Sequence, residues 1–192
     1  MWSSQTKGLF KGFYPVVLNL DDAHVDMTYG VNHKFLKAFT SVRSLYLSLS
    51  FTEVLSPCGM TFHNLVYLEL CTCAQGWWDL LTHMLQDSPK LGFLKLNDEH
   101  VLDIPSIETP DCWKPPSSVP KCLLHSFEAF EWNGYKGRRG DREVATYLVA
   151  NATRLKTAVF SPETEDVGER YRMLQYLASV ATPSPLFQLF FQ

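Results

Sequence analysis

Nowhere in the 192 residues do eighteen apolar side chains run together, so no segment reads as a membrane-spanning helix. The N-terminus, MWSSQTKGLFKGFYPVVLNLDD, lacks the sustained apolar stretch and the small-residue cleavage site of a secretory signal. We therefore expect an intracellular protein of the cytoplasm or nucleus, with no membrane partner. Charge is also scarce, at 19% of residues with a formal net charge of −3. A nucleic-acid partner would favour a strong basic patch, and none is expected. The longest basic run, Lys136-Gly137-Arg138-Arg139, is followed by Asp141 and Glu143 and reads as a solvated loop. Arg139-Gly140-Asp141 spells a cell-adhesion tripeptide, and Asn151-Ala152-Thr153 a glycosylation sequon; both need export to matter. Five cysteines, an odd number spread along the chain, form no disulfide framework and fit reduced thiols.

The motifs of catalysis are missing as well. There is no G-x-S-x-G elbow, no phosphate-binding G-x-x-x-x-G-K, no H-E-x-x-H and no G-x-G-x-x-G. The six histidines (His24, His33, His63, His83, His100, His125) form no nucleophile–base pattern. Asp21-Asp22, Asp98-Glu99 and Glu163-x-Glu165-Asp166 lack the glycine and spacing of a calcium loop. Cys71, Cys73, His63 and His83 could in principle hold zinc, but C-x-C with scattered histidines is not a pair of C-x-x-C knuckles. The reading is a non-enzymatic chain with no catalytic, cofactor or metal residues.

What the sequence does contain is a repeat. Leu65-x-x-Leu68-x-Leu70 and Leu91-x-x-Leu94-x-Leu96 share the spacing L-x-x-L-x-L, as do Val42-x-x-Leu45-x-Leu47 and Phe127-x-x-Phe130-x-Trp132. Weaker copies begin at Leu155 and Leu186, and a degenerate one at Pro15 ends in Leu18-x-Leu20. First positions at 15, 42, 65, 91, 127, 155 and 186 give intervals of 27, 23, 26, 36, 28 and 31 residues, in or near the leucine-rich-repeat range. In such a repeat the second and third apolar positions point inward from a short strand, and the first closes the turn before it. Between strands, Trp77, Leu80, Leu81, Met84 and Leu85 line one helical face, ended by Ser88-Pro89. Helices are also predicted over 142–152 (Val144, Leu148 and Ala152 inward, aligned with Leu155) and 168–180 (Tyr171, Leu174, Leu177 and Ala178 inward). The predicted fold class is α/β: a leucine-rich-repeat solenoid with a curved parallel sheet on its concave face and helices on its convex face. Counting from Leu65 places Cys73 at the inward position after the strand. The concave face would present Tyr46, Tyr67, Glu69, Phe93, Lys95 and Glu131 as contacts for a target protein.

The oversized interval of 36 residues holds CWKPPSSVPKCLL, residues 112–124. Its prolines hold an extended connector, with Trp113, Val119 and Cys122 free to pack on the array and both cysteines buried thiols. Trp113, Pro116, Val119, Pro120, Cys122 and Leu123, followed by Gly137, Tyr147, Asn151 and Leu155, closely resemble the FBD domain of plant F-box/FBD/leucine-rich-repeat proteins. The resemblance implies leucine-rich repeats over 1–110, incomplete at their N-terminal end, and an FBD domain over 111–192 that continues the repeat. It also implies a substrate-receptor role in a cullin-based ubiquitin ligase, where an F-box docks on a Skp-type adaptor and the repeats bind a target. No Leu-Pro-rich F-box segment occurs in these residues, which puts adaptor docking in doubt. Two other readings are a vestigial family member without a partner and a small-ligand receptor.

Overall fold

A computed structural model describes residues 21–27, 36–49, 59–72, 77–98 and 113–192. Among them, seven strands form one sheet: β1 (Asp22–Met27), β2 (Ser44–Leu49), β3 (Tyr67–Cys71), β4 (Phe93–Asn97), β5 (Ala129–Tyr135), β6 (Thr157–Pro162) and β7 (Gln188–Phe191). Their spatial order is their chain order, and every neighbouring pair is parallel. The helices are α1 (Trp77–Asp87), α2 (Lys121–His125), α3 (Arg139–Asn151) and α4 (Val167–Ala178), with one 3-10 turn at Lys37–Phe39. Along the chain, α1 packs on α2, α2 on α3 and α3 on α4.

The register explains why the apolar spacing recurs. Ala23, Leu45, Leu68, Leu94, Phe130, Ala158 and Leu189 stand side by side in one row. Leu47, Leu70, Leu96, Trp132, Phe160 and Phe191 form the next. From Leu45 to Phe160 both rows are buried, as are the first positions Val42, Leu65, Leu91, Phe127 and Leu155. Each such row hides apolar side chains that one repeat alone would leave wet, at about 1.5–3 kcal/mol per large side chain. One carbonyl per repeat fixes the entry to the next strand. Asp21 accepts from Arg43 and Ser44 (2.7 and 2.8 Å), Arg43 from Val66 and Tyr67, and Val66 from Gly92 and Phe93. Gly92 then accepts from Glu128 and Ala129, Glu128 from Lys156 and Thr157, and Lys156 from Gln188.

Three expectations need correction. The degenerate copy at residues 15–20 lies outside the described residues, and β1 begins after it. Ala23, not Leu18, is opposite Leu45, so the first interval is 22 residues and not 27. The strongly apolar run before residue 21 outweighs DAHVDM in any hydrophobic count, whereas the Asp21 carbonyl decides the register. Second, α4 buries Met173 and Leu177, while Tyr171 and Ala178 are exposed and Leu174 is half-buried. The helix covers α3 on one side only, so it needs a narrower stripe than an internal helix. Third, Cys71 is disulfide-bonded, not a reduced thiol. Cys73 and Cys112 lie outside the described residues; Cys122 is a buried free thiol as expected.

The predicted stripes of α1 and α3 are buried as read. α3 starts three residues earlier than predicted because the Asp141 carboxylate accepts the Arg138 backbone N–H (3.1 Å) and satisfies a donor the first turn leaves open. The connector is extended only as far as Pro120 (φ −57°, ψ 142°), after which Lys121–His125 coils into α2.

Candidate functional site

The face of the sheet opposite the core carries the six residues expected to meet a target. Tyr67 and Phe93 belong to one row, Ser44–Tyr67–Phe93–Ala129–Thr157. Tyr46, Glu69, Lys95 and Glu131 belong to the next, flanked by His24 and by Val159. All six are half-buried, because neighbouring strands 4.7–4.9 Å apart cover one another's side chains. Strand spacing also makes them interact. Tyr67 stacks on Phe93 with ring centroids 4.9 Å apart, and His24 on Tyr46 at 4.0 Å. Tyr67 Oη donates to Glu69 Oε2 (2.9 Å), and Lys95 Nζ pairs with Glu69 Oε1 (3.1 Å). Asn97 Nδ2 also donates to Glu69 Oε1 (3.4 Å).

Glu69 is therefore the hub of a cross-strand network spanning β3 and β4. Burial pushes the Tyr67 hydroxyl well above its ordinary range; its hydrogen bond to Glu69 and the charges of Glu69 and Glu131 add to this. Tyr67 thus stays a neutral donor at any physiological pH. Sequence reasoning placed the six residues on one face but missed His24 and Asn97. His24 was hidden by the misread first strand, and Asn97 lies one position past the apolar pattern.

A second cluster lies beyond the C-terminal ends of β4, β5 and β6. Lys136 Nζ contacts Asp98 Oδ2 (2.6 Å) and Glu163 Oε2 (3.0 Å). Burial alone would lower the Lys136 pKa, but its hydrogen bonds to the two carboxylates and their charges hold it above the ordinary lysine value. Arg138 pairs with Asp141, and Arg139 with Glu143, each at 3.1 Å. The basic run read as a solvated loop is therefore a set of matched ion pairs, with Lys136 only 16% exposed. Asp141 is buried in the first turn of α3, so the adhesion tripeptide is not displayed. The sequence could not show this, because Asp98 is distant along the chain.

The residues that carry the FBD resemblance do structural work in this fold. Trp113 is buried between two helices: its indole Nε1 donates to Thr82 Oγ1 of α1 (3.1 Å) and its backbone N–H to Glu143 Oε2 of α3 (2.9 Å). Its ring meets Tyr147 edge-on at 5.1 Å. Val119 packs against the core, Pro120 is buried as the residue that opens α2, and Pro116 is half-buried. Cys122 Sγ donates to the Leu85 carbonyl (3.2 Å), and burial pushes its thiol up to about 12. Leu123 and Leu155 are fully buried. Asn151 Nδ2 donates to the Tyr147 carbonyl (2.8 Å) near the end of α3. Gly137 adopts φ +63°, and a Cβ there would lie 3.0 Å from Met173 Cγ. Among the described residues no group of three or more His, Cys, Asp and Glu could hold a metal ion. No helix among them is long and apolar enough to cross a membrane.

Comparison with known proteins follows the same lines. A sequence model of the FBD family matches residues 114–160, from the connector to the middle of β6. An F-box/FBD/LRR-repeat protein of Arabidopsis thaliana is 63% identical over 173 residues, which are 90% of this chain and 41% of that protein. A putative F-box/FBD/LRR-repeat protein from the same plant is 57% identical over 88% of this chain and 39% of its own length. Another F-box/FBD/LRR-repeat protein of that species is 44% identical over 88% of this chain and 40% of its own length. The chain thus spans about two fifths of the length of these curated relatives. No solved structure matches.

Proposed function

Because the chain belongs to the family of F-box/FBD/LRR-repeat proteins, we propose that it is a non-enzymatic protein-interaction module, the target-binding part of an F-box receptor. In this reading residues 1–110 are leucine-rich repeats, residues 111–192 are an FBD domain continuing them, and together they form a curved solenoid. The sheet face carrying Tyr46, Tyr67, Glu69, Phe93, Lys95 and Glu131 is its concave binding surface, working inside the cell in the cytoplasm or nucleus.

One observation carries this reading: a single sheet face holds aromatic and charged side chains in register across consecutive strands, prearranged by stacking and by the Glu69 network. Half-buried aromatics on a rigid frame lose little entropy on binding and make good anchors. The mixed charge of Glu69, Lys95 and Glu131 suits a protein target better than a polyanion. Delivery of that target to a ubiquitin ligase would fall to an F-box, and adaptor docking is not assigned to these 192 residues.

Affinity purification from plant extract tests the proposal. The parent chain and a Phe93→Ser/Glu131→Arg variant, matched for folding by circular dichroism, are compared by quantitative mass spectrometry. The proposal expects one reproducible protein enriched by the parent and lost with the variant. Equal recovery by both would move the interaction off this face, and recovery of nothing by either would favour a chain without a current partner. Recovery of a Skp-type adaptor by these residues alone would contradict the assignment of docking to an F-box elsewhere.

A further inference from the structure

The two ends of the sheet differ in kind. Among the described residues the first strand carries Asp22 and His24, charge and polarity of the sort that discourage edge pairing. The last strand, β7, lies in the segment Leu186-Phe-Gln-Leu-Phe-Phe-Gln192, which has no charged residue, no proline and no glycine. Among the described residues β7 pairs with β6 alone. Gln188 and Gln192 donate their N–H groups to the Lys156 and Phe160 carbonyls (2.8 and 3.0 Å). By the alternation of a strand, the N–H and C=O groups of Leu189 and Phe191 then point away from β6, to the side on which no further strand lies among the described residues.

Exposed apolar side chains stand on both sides of this end, Phe190 beside Val159 on the sheet face opposite the core and Tyr171 and Val167 on α4. Phe190 is 44% and Tyr171 59% exposed, and Leu186 and Val167 are more exposed still. This is also where the sequence reading went wrong: Tyr171 was expected inward and faces out. A row that is buried everywhere inside the array (Leu94, Phe130, Ala158) reaches the surface at Leu189, and its neighbour reaches it at Phe191.

We propose that β7 is a self-association edge, on which a second copy of this chain pairs antiparallel about a two-fold axis through Phe190. The sequence Gln188-Leu-Phe-Phe-Gln192 reads nearly alike in both directions. Pairing about Phe190 sets Gln188 opposite Gln192, Leu189 opposite Phe191 and Phe190 opposite itself, so every side chain meets one of its own class. The backbone agrees with this register. Leu189 and Phe191 are the residues whose hydrogen-bonding groups face outward, and each would exchange both bonds with its opposite residue, giving four bonds per dimer. Phe190 falls at the non-bonded pair, where opposing side chains approach most closely. A two-fold arrangement closes on itself and consumes both edges, so it yields a dimer and not a fibre. β7 itself carries no charged side chain, while the Arg170 guanidinium of α4 lies over the Phe191 ring (5.8 Å to its centroid), and an interface on the order of 1,000 Å² in total would be typical of a weak dimer.

Sedimentation velocity of the full chain, from about 1 to about 100 μM, tests this. The expected result is a monomer–dimer equilibrium within that range. Phe190→Lys, which sets two like charges on the axis, should shift the dimerisation constant at least about tenfold toward monomer, as should Phe190→Glu. An equimolar mixture of the two should restore a dimer, because position 190 meets position 190. Gln188→Glu combined with Gln192→Glu, at exposed positions, gives a second disruptor should either Phe190 variant melt early. A parent chain that stays monomeric throughout, a dimer untouched by these charges, a mixture that does not re-associate, or polymers in place of dimers would each overturn the proposal.

Discussion

Replacing Trp113 with Ala tests how the connector is fastened. Trp113 is 6% exposed and touches three partners on two helices: Thr82 of α1, and Glu143 and Tyr147 of α3. The backbone bond to Glu143 survives substitution, so the loss comes from the side chain. Removing a buried aromatic to Ala costs about 3–5 kcal/mol. Within that, the indole hydrogen bond accounts for about 1 kcal/mol. The edge-on pair with Tyr147 accounts for another ~0.5–1.5 kcal/mol. For a chain of this size the total corresponds to a fall in Tm of roughly 6–20 °C. Trp113→Phe keeps most of the apolar contact and should lose only about 1–2 kcal/mol. Thr82→Val should cost about 1–3 kcal/mol, since it leaves a buried indole N–H without an acceptor. Urea unfolding followed by far-UV circular dichroism measures all three variants, and the Trp113→Phe/Thr82→Val double mutant closes a cycle whose coupling should be about 1 kcal/mol. A loss below about 1 kcal/mol for Trp113→Ala, or strict additivity in the cycle, would refute the idea that this tryptophan staples α1 to α3.

Gly134→Ala should be strongly destabilising, by more than about 2 kcal/mol, because φ is +72° and the new Cβ would fall 2.7 Å from Asp98 Cβ; a Tm within 2 °C of the parent would contradict the turn geometry. Cys122, with its thiol pushed up to about 12 by burial, should resist iodoacetamide at pH 8 in the folded chain and react at the ordinary cysteine rate in urea. Asp87 ends α1, and burial holds its carboxyl above the usual value, with the charge of His83 opposing in part. Its charged form therefore costs stability at neutral pH, and that cost fades as pH falls through the carboxylate range. Asp87→Asn should stabilise by about 0.3–1 kcal/mol at pH 7, a gain lost below about pH 3. Chemical denaturation at both pH values checks the sign.

Much of the sheet was legible because each inward residue obeys one local rule. Leu45, Leu47, Leu68, Leu70, Leu94, Leu96, Phe130 and Trp132 are where the L-x-x-L-x-L spacing puts them, and that spacing is the strand alternation itself. The α1 face was equally plain, since Trp77, Leu80, Leu81, Met84 and Leu85 repeat at the helical period. Failures cluster at the ends. β1 is short of apolar residues and is recognised by the Asp21 carbonyl, a backbone feature without a side-chain signature. Among the described residues α4 packs on one helix, α3, so Met173 and Leu177 suffice, and Tyr171 is released to the surface. Long-range pairs were illegible too: nothing near Lys136 in the sequence announces Asp98, and nothing near Trp113 announces Thr82. On the sheet face, residue types and positions were readable, but the Glu69 hub depends on strand register and emerges only with the fold.

Site-specific photo-crosslinking bears most directly on the central claim that this face binds a protein. A benzophenone side chain is placed at Phe93 on the sheet face, and separately at Val167 on the exposed side of α4, and each chain is irradiated in plant extract. The account predicts one discrete adduct from Phe93, competed away by unlabelled parent chain and absent from Val167. The same adduct from both positions, or none from Phe93 while Val167 crosslinks, would contradict it.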